Sequence, residues 1–317
     1  MQLHVNNETA MLKAVVLGQP GLKLPTPAIE AVYDAVSYDS VLKGIYPTAE
    51  SVSKEMNAFE KVLLKYNVQI FRPSTLESCN QIFARDVGFV IEDKIINSNI
   101  IPEREVEKEA YGVIYDQIPC NKIFNLPGKA HIEGGDVVLY NDIVFVGVYT
   151  AEDYPLLKTA RTNAYAVNFL EEIFPAKTFI PLELKKHNTD PTRNILHLDC
   201  TFTPVGHDKA IIYRDGFIHE RDFYTLVDIF GIENIFELTN DEMVRLNANV
   251  FSISPGVVVS EQRSDRLNRQ LEDWGFTVER VPYHEISKMG GSLRCSTLPL
   301  TRNDASTNSN KTLVKSE

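Results

Sequence analysis

Cysteine is scarce in this chain and never doubled. The four thiols, Cys79, Cys120, Cys200 and Cys295, lie far apart and form no Cys-x-x-Cys pair, which argues against a zinc cluster and fits reduced thiols in a cytosolic setting. Runs of Lys and Arg are missing as well. With a net charge of −11, the chain offers no clustered cations for phosphates, so a nucleic-acid surface is excluded. No stretch approaches the roughly 20 apolar residues that cross a bilayer. The start, Met1 to Gly18, lacks a basic segment followed by an apolar one and a small-residue cleavage site; no secretory signal is read, and a cytoplasmic location is expected. A nucleotide loop is absent too. Gly134-Gly135 stands without the longer glycine pattern and its following helix, and reads as a bend between strands.

What is present suits a globular enzyme. Hydrophobic residues make up 44% and charged residues 24% of 317 positions, ample for a core and long for one domain unless the fold closes on itself. The recurrent unit is a pair of short apolar runs joined by a polar turn: Ile82 to Val90 with Lys94 to Asn97, Val137 to Tyr140 with Ile143 to Val148, Cys200 to Val205 with Ala210 to Tyr213, and Val250 to Ile253 with Val257 to Ser260. Each has the pattern of a hairpin.

Helical periodicity fills the gaps. Thr48 caps a helix that carries Val52, Met56, Phe59, Val62 and Leu63 on one face; others span Leu156 to Phe174, Glu220 to Phe230, Asp241 to Leu246 and Ser264 to Trp274. With the opening run Leu12 to Leu17, this gives about five strand-strand-helix-strand modules, which as a ring make an α/β propeller. Residues 1–302 are read as that single domain. Residues 303–317 are polar and aperiodic and read as a disordered tail.

Chemically loaded residues recur at one point of the module. Asp86 in Phe83-Ala84-Arg85-Asp86, Glu133 in His131-Ile132-Glu133-Gly134-Gly135-Asp136, and His197 with Asp199 in Leu196-His197-Leu198-Asp199 fall at or near the starts of successive hairpins. In a ring these points face one central mouth. Cys295 follows in Gly290-Gly291-Ser292-Leu293-Arg294-Cys295, before another apolar run. A thiol, an imidazole and several carboxylates in one pocket point to a cysteine nucleophile acting on a cation. Taken singly, each residue has a plainer reading: a lone Cys is usually a packing residue, and Asp86 beside Arg85 makes a local ion pair. His131-x-Glu133 and His197-x-Asp199 also have the donor types of a metal site. A carboxylate-rich pocket with a late thiol suits an organic cation better, and no metal or organic cofactor is expected. Cys200 reads as packing and Arg294 as support for the local geometry.

The ordered set Phe-x-Arg-Asp, Glu-Gly-Gly-Asp, His-Leu-Asp and a late Cys resembles the arginine deiminase and amidinotransferase superfamily of guanidine-modifying enzymes, over roughly Leu12 to Arg302. The resemblance implies a five-bladed α/β propeller of ββαβ modules, the pentein fold. It implies Cys295 as nucleophile, His197 as acid and base, and Glu133 as the third carboxylate, which binds the guanidinium and orients and charges His197. Asp86 and Asp199 would clamp the guanidinium, and Asn80, Arg104 and Arg161 would hold the carboxylate of an amino-acid substrate. The implied reaction is hydrolysis of arginine, or a related guanidino compound, to citrulline and ammonia through an S-alkylthiouronium adduct. Transfer of the amidino group to an amine and double hydrolysis to ornithine are the alternatives, and a binding protein on the same fold is the non-enzymatic one. Superfamily transferases carry Asp where this chain has Glu133, which leans toward hydrolysis. The partner is thus a small guanidino substrate, with neither nucleic acid nor membrane, and a homo-oligomer is allowed by the pattern.

Overall fold

The computed structural model describes residues 1–20, 24–77 and 79–303. It contains five three-stranded sheets. The chain enters on β1 (Met11–Leu17) and passes through helix Ala49–Lys65 to β2 (Gln69–Phe71). Three further blades follow in sequence: β3 (Gly88–Ile91), β4 (Lys94–Asn97) and β5 (Ile123–Asn125); β6 (Val137–Tyr140), β7 (Ile143–Val148) and β8 (Thr178–Glu183); β9 (Phe202–Val205), β10 (Lys209–Ile212) and β11 (Ile235–Glu237). A fourth comprises β12 (Phe251–Ser254), β13 (Val257–Glu261) and β14 (Thr277–Val281), and β15 (Thr297–Asn303) comes last.

Every blade is built alike. The first two strands pair antiparallel and the third lies parallel to the second, as β3, β4 and β5 do, because a hairpin reverses the chain whereas a helical crossover restores its direction. In the fifth blade the first strand comes from the other end of the chain: β15 pairs antiparallel with β1, from Met11–Asn303 to Leu17–Thr297. That pairing closes the ring and removes two open sheet edges. It also moves Asn303 out of the expected tail and into the blade; the rest of that tail, 304–317, lies outside the described residues.

The alternating patterns correspond to hairpins with one systematic change. Strands expected from Ile82 and Cys200 begin at Gly88 and Phe202, because the single helical turns Ala84–Val87 and Leu198–Cys200 precede them, as Gly134–Asp136 precedes Val137. Similar turns lead into β12 and β15. The helix expected from Leu156 starts at Ala164, where Asn163 caps it by accepting from Ala166 N at 3.0 Å. Residues 159–162 are instead buried and irregular.

The five lead-in turns touch one another around the axis. Arg85 N donates to Cys295 O at 2.9 Å, Arg294 N to Asn249 O at 3.3 Å, Asn249 Nδ2 to Asp199 O at 3.3 Å and Leu198 N to Asp136 Oδ1 at 2.9 Å. The last gap is closed by van der Waals contact: a Cβ on Gly134 would lie 2.1 Å from Arg85 O. Glycine is required there because the backbones approach too closely for any side chain.

Apolar residues fill the space between blades. Phe59, on the inner face of helix Ala49–Lys65, meets Phe251 and Tyr283 edge-on at 5.8 and 5.6 Å, joining two blades across the chain closure. Phe59→Ala removes both contacts and leaves a cavity. It is expected to destabilise the fold by about 3–5 kcal/mol in a denaturant titration; a change below about 1 kcal/mol would show that the junction collapses freely around the gap.

Candidate active site

The residue at the same point of each lead-in turn faces the axis. These are Asp86, Asp136, Asp199, Asn249 and Cys295, one per blade, and all are buried. Asp136 serves the fold: Oδ1 accepts from Leu198 N and Oδ2 from Thr162 Oγ1 at 2.6 Å. The other four, with His197 and Glu133, make the candidate site.

Glu133 and His197 form its basic side. Glu133 Oε2 lies 2.9 Å from His197 Nε2; since a carboxylate only accepts, Nε2 carries the proton and Nδ1 faces the site. Nδ1 lies 3.7 Å from Asp86 Oδ1, and neither atom has a hydrogen-bond partner. Burial alone would lower the imidazole's pKa, but the Asp86 charge and the Glu133 hydrogen bond outweigh it and raise it above its ordinary value. Glu133 is itself held below the carboxylate range: burial pushes upward, and Arg161 and His197 overcome it. Gly135 makes this packing possible, because a Cβ there would stand 2.7 Å from the His197 ring.

Cys295 occupies the opposite side. Its Sγ lies 3.6 Å from Asp199 Oδ2 and accepts from Asn249 Nδ2 at 3.2 Å, while its backbone N–H donates to Asn249 Oδ1 at 3.1 Å. One amide thus fixes both the main chain and the sulfur of Cys295. Asn249 was not singled out from sequence; its place before the fourth blade's first strand, matching Asp86 and Asp199, was the available signal. Burial, and then the Asp199, Cys200 and Asp86 charges, push the thiol well above its ordinary pKa. The charge nearest the sulfur is the Asp199 carboxylate, which disfavours the thiolate.

Arginines neutralise the carboxylates. Arg294 Nη1 binds Asp199 Oδ2 at 2.8 Å and Nη2 binds Glu8 Oε1 at 2.8 Å. Burial alone would raise Glu8, but Arg294 and Arg85 hold it at about 2. Arg85 turns toward Glu8 at 3.8 Å and forms no ion pair with adjacent Asp86. Arg104 binds Asp86 Oδ2 at 2.7 Å and grips Glu107 through Nε and Nη2 at 2.7 and 2.8 Å. Arg161 Nη1 meets Glu133 at 3.0 and 2.8 Å, and Nη2 donates to Tyr33 O at 2.9 Å. Both arginines assigned to a substrate carboxylate do point inward. In this state, however, their guanidinium groups are held by the protein's own acids. Asn80 is half-buried, its Oδ1 accepting from Ile82 N at 3.1 Å, and it lines a separate cavity with Tyr33 and Asp34.

Asp86, Glu133 and His197 each offer one ligand atom within 4.8 Å of the others, a spacing that would admit a cation. The acids there already carry Arg104 and Arg161 at 2.7 and 2.8 Å, so a divalent ion would have to displace a guanidinium. His131 stays outside this group, its main chain exchanging hydrogen bonds with Asn163.

Comparisons with known proteins agree with the residue pattern. A family model described as arginine deiminase matches residues 75–229 and 231–302. The uncharacterized protein YkgA of Bacillus subtilis strain 168 is 33% identical over 226 residues, 71% of this chain and 71% of its own length. Arginine deiminase of Streptococcus gordonii is 24% identical over 315 residues, covering 85% of this chain and 75% of the relative. Among solved structures, SxtG, an amidinotransferase of saxitoxin biosynthesis from Microseira wollei, matches with a TM-score of 0.74 at 17% identity, over 95% of this chain and 97% of that one. At that identity the likeness concerns the fold, which is the five-bladed pentein propeller.

The raised pKa of His197 has a testable source. Its protonation favours the folded state below the ordinary histidine value, and that contribution disappears as pH rises through the raised one. Glu133→Gln keeps the shape and removes the charge, so an NMR titration of the His197 ring should move to lower pH. An unmoved titration would mean that Glu133 does not set the charge of the imidazole.

Proposed function

The chain belongs to the arginine deiminase family, and from that membership and the geometry of the site we propose that it is a cysteine hydrolase cleaving a guanidinium C–N bond, with arginine or a close relative as substrate. The observation that carries the reading is the convergence in one buried hub of Cys295 Sγ, 3.6 Å from Asp199, and a His197 held 2.9 Å from Glu133. The unpartnered Asp86 Oδ1 and His197 Nδ1 are the free acceptor and the proton-transfer atom that such chemistry asks for.

In the proposed cycle a guanidinium enters between Asp86 and Asp199, its N–H groups donating to both in a planar, charge-assisted pairing. Its positive charge offsets the carboxylates that hold the thiol neutral, so the thiol releases its proton to solvent as substrate binds and the thiolate forms. The sulfur attacks the guanidinium carbon, and His197, protonated next to Glu133, gives its proton to the departing nitrogen as the C–N bond breaks. Ammonia leaves an S-alkylthiouronium on Cys295. The neutral imidazole then takes a proton from water, the hydroxide displaces the sulfur, and citrulline is released with the thiol restored. Asn249 donates to the sulfur throughout and favours its anionic form.

Incubation with L-arginine, with and without glycine, tests the products. Citrulline and ammonia in equal amounts are expected, and Cys295→Ser should reduce turnover by about 10³-fold or more while leaving thermal unfolding unchanged. Ornithine without an acceptor would indicate double hydrolysis, and ornithine with a new guanidino compound only when glycine is added would indicate a transferase. The thiol's dependence on a cation has its own check. At pH 7, chloroacetamidine should alkylate Cys295, read by peptide mass, at least about tenfold faster than neutral iodoacetamide; equal rates would remove the charge argument, and an unreactive Cys295 would favour a binding protein.

A further inference from the structure

One buried carboxylate beside the site has no part in the cycle above. Asp34 is 4% exposed and caps helix Ala35–Leu42, its Oδ1 accepting from Ser37 N at 2.7 Å. A cap needs an acceptor and not a charge; the other side-chain caps among the described residues are the neutral Thr48, Asn163 and Thr239. Asp86, Glu107, Glu133 and Asp199 each hold an arginine. Among the described residues Asp34 has no Lys, Arg or His at ion-pair distance. Burial pushes the Asp34 carboxyl above the usual carboxylate range, against the pull of the Ser37 N–H and the Arg161 charge, so its anion is favoured when a cation sits directly against it.

Its surroundings say where that cation would come from. Asp34 lines a cavity of about 180 Å³ with Tyr33, Ser37, Tyr46, Asn80 and Met289. Asn80 has its oxygen engaged by Ile82 N–H, so its amide nitrogen is the end left to donate. The cavity therefore offers an anionic acceptor and a neutral donor between apolar walls. It adjoins the carboxylate hub: the Tyr33 carbonyl accepts from Arg161, whose other nitrogen is on Glu133. On the far side Asp34 presses on Gly290, where a Cβ would lie 2.3 Å from Oδ1 and φ is +84°. That glycine is five residues from Cys295. A second, smaller cavity links Asp34 and Gly290 to Cys200, whose Sγ lies 3.6 Å from Asp199 Oδ1.

We propose that Asp34 is the ammonium-recognising residue of the substrate site, binding the α-ammonium of a guanidino amino acid whose guanidinium is held at Asp86 and Asp199. This rests on the guanidine reading of the Cys295 centre and narrows it: the substrate carries a second, primary ammonium cation at the far end of its chain. The helix cap and the binding site share one side chain because the two lone pairs of Oδ2 remain when Oδ1 serves Ser37.

Three substrates separate the roles. L-arginine has ammonium and carboxylate, agmatine has only the ammonium, and 5-guanidinopentanoate has only the carboxylate. Asp34→Asn keeps a good cap and loses the charge, and Asp34→Ser provides a second neutral cap. For both variants KM is expected to rise about 10- to 100-fold for L-arginine and for agmatine, to stay within about twofold for 5-guanidinopentanoate, and kcat to change little. The wild-type enzyme should prefer L-arginine to 5-guanidinopentanoate by a similar factor, a comparison that needs no variant to fold. Equal effects on all three substrates, or no wild-type preference, would overturn the assignment of Asp34 alone. Wild-type protein that turns over none of the three would overturn the guanidine reading itself.

Discussion

Burying several carboxylates around one axis is the constraint on which the hub depends. Glu8, Asp86, Glu107, Glu133 and Asp199 are all shut from water, and each such ion would lose several kcal/mol of solvation without a partner. Four arginines supply the compensation, and they come from different parts of the chain: Arg85 and Arg294 from lead-in turns, Arg104 from the 3-10 helix Pro102–Tyr111 and Arg161 from the loop before helix Ala164–Ile173. The Glu8–Arg294–Asp199 chain ties the N-terminal segment to the third and fifth blades. Ring closure by β1 and β15 and charge compensation at the hub are thus one arrangement, since both require the two ends of the chain to meet on the axis.

The same compensation shapes the electrostatics toward a substrate. With an arginine on nearly every acid, the hub is not a strongly negative trap, and the overall charge of −11 has little to do with recognition. Discrimination falls instead to the few atoms left unpaired, above all Asp86 Oδ1. A buried acceptor without a partner rejects ligands that cannot donate to it, since binding them would leave it unsatisfied. On the proposed reading the thiol follows a related logic: pushed up by burial and by its acid neighbours, it would be a weak nucleophile until a cation arrives, which would limit adventitious oxidation and alkylation.

Much of this was legible in the chain because it rests on local patterns. Val137–Tyr140 and Ile143–Val148 alternate as hairpin strands and form one; Thr48 precedes an amphipathic run and caps it. The convergence of Asp86, Glu133, His197, Asp199 and Cys295 followed from their equivalent places in repeated modules. What was not legible depended on contacts distant in sequence. The bonds between Asn249 and Cys295 span 46 positions, and an asparagine before a strand reads as a turn residue until its blade is seen as one of five. The apolar run from Leu156 suggested a longer helix, but Arg161 and Thr162 are drawn out of it by Glu133 and Asp136. Local helix propensity is worth only tenths of a kcal/mol per residue, less than a buried charged pair and a buried hydrogen bond.

The arginine pairings alter what recognition of an amino-acid head group would involve. Arg104 and Arg161 already donate to Asp86 and Glu133, so a substrate carboxylate would find no vacant guanidinium in this state. On the proposed reading, an arriving guanidinium takes a share of Asp86 just as a substrate carboxylate offers Arg104 a replacement acceptor. Ion pairs are exchanged and their number is kept, which spares the site the penalty of stripping water from a lone charge. Such an exchange would favour a substrate that brings both signs of charge, since its guanidinium meets the free Asp86 Oδ1 while its carboxylate gives Arg104, held on Oδ2, a further acceptor.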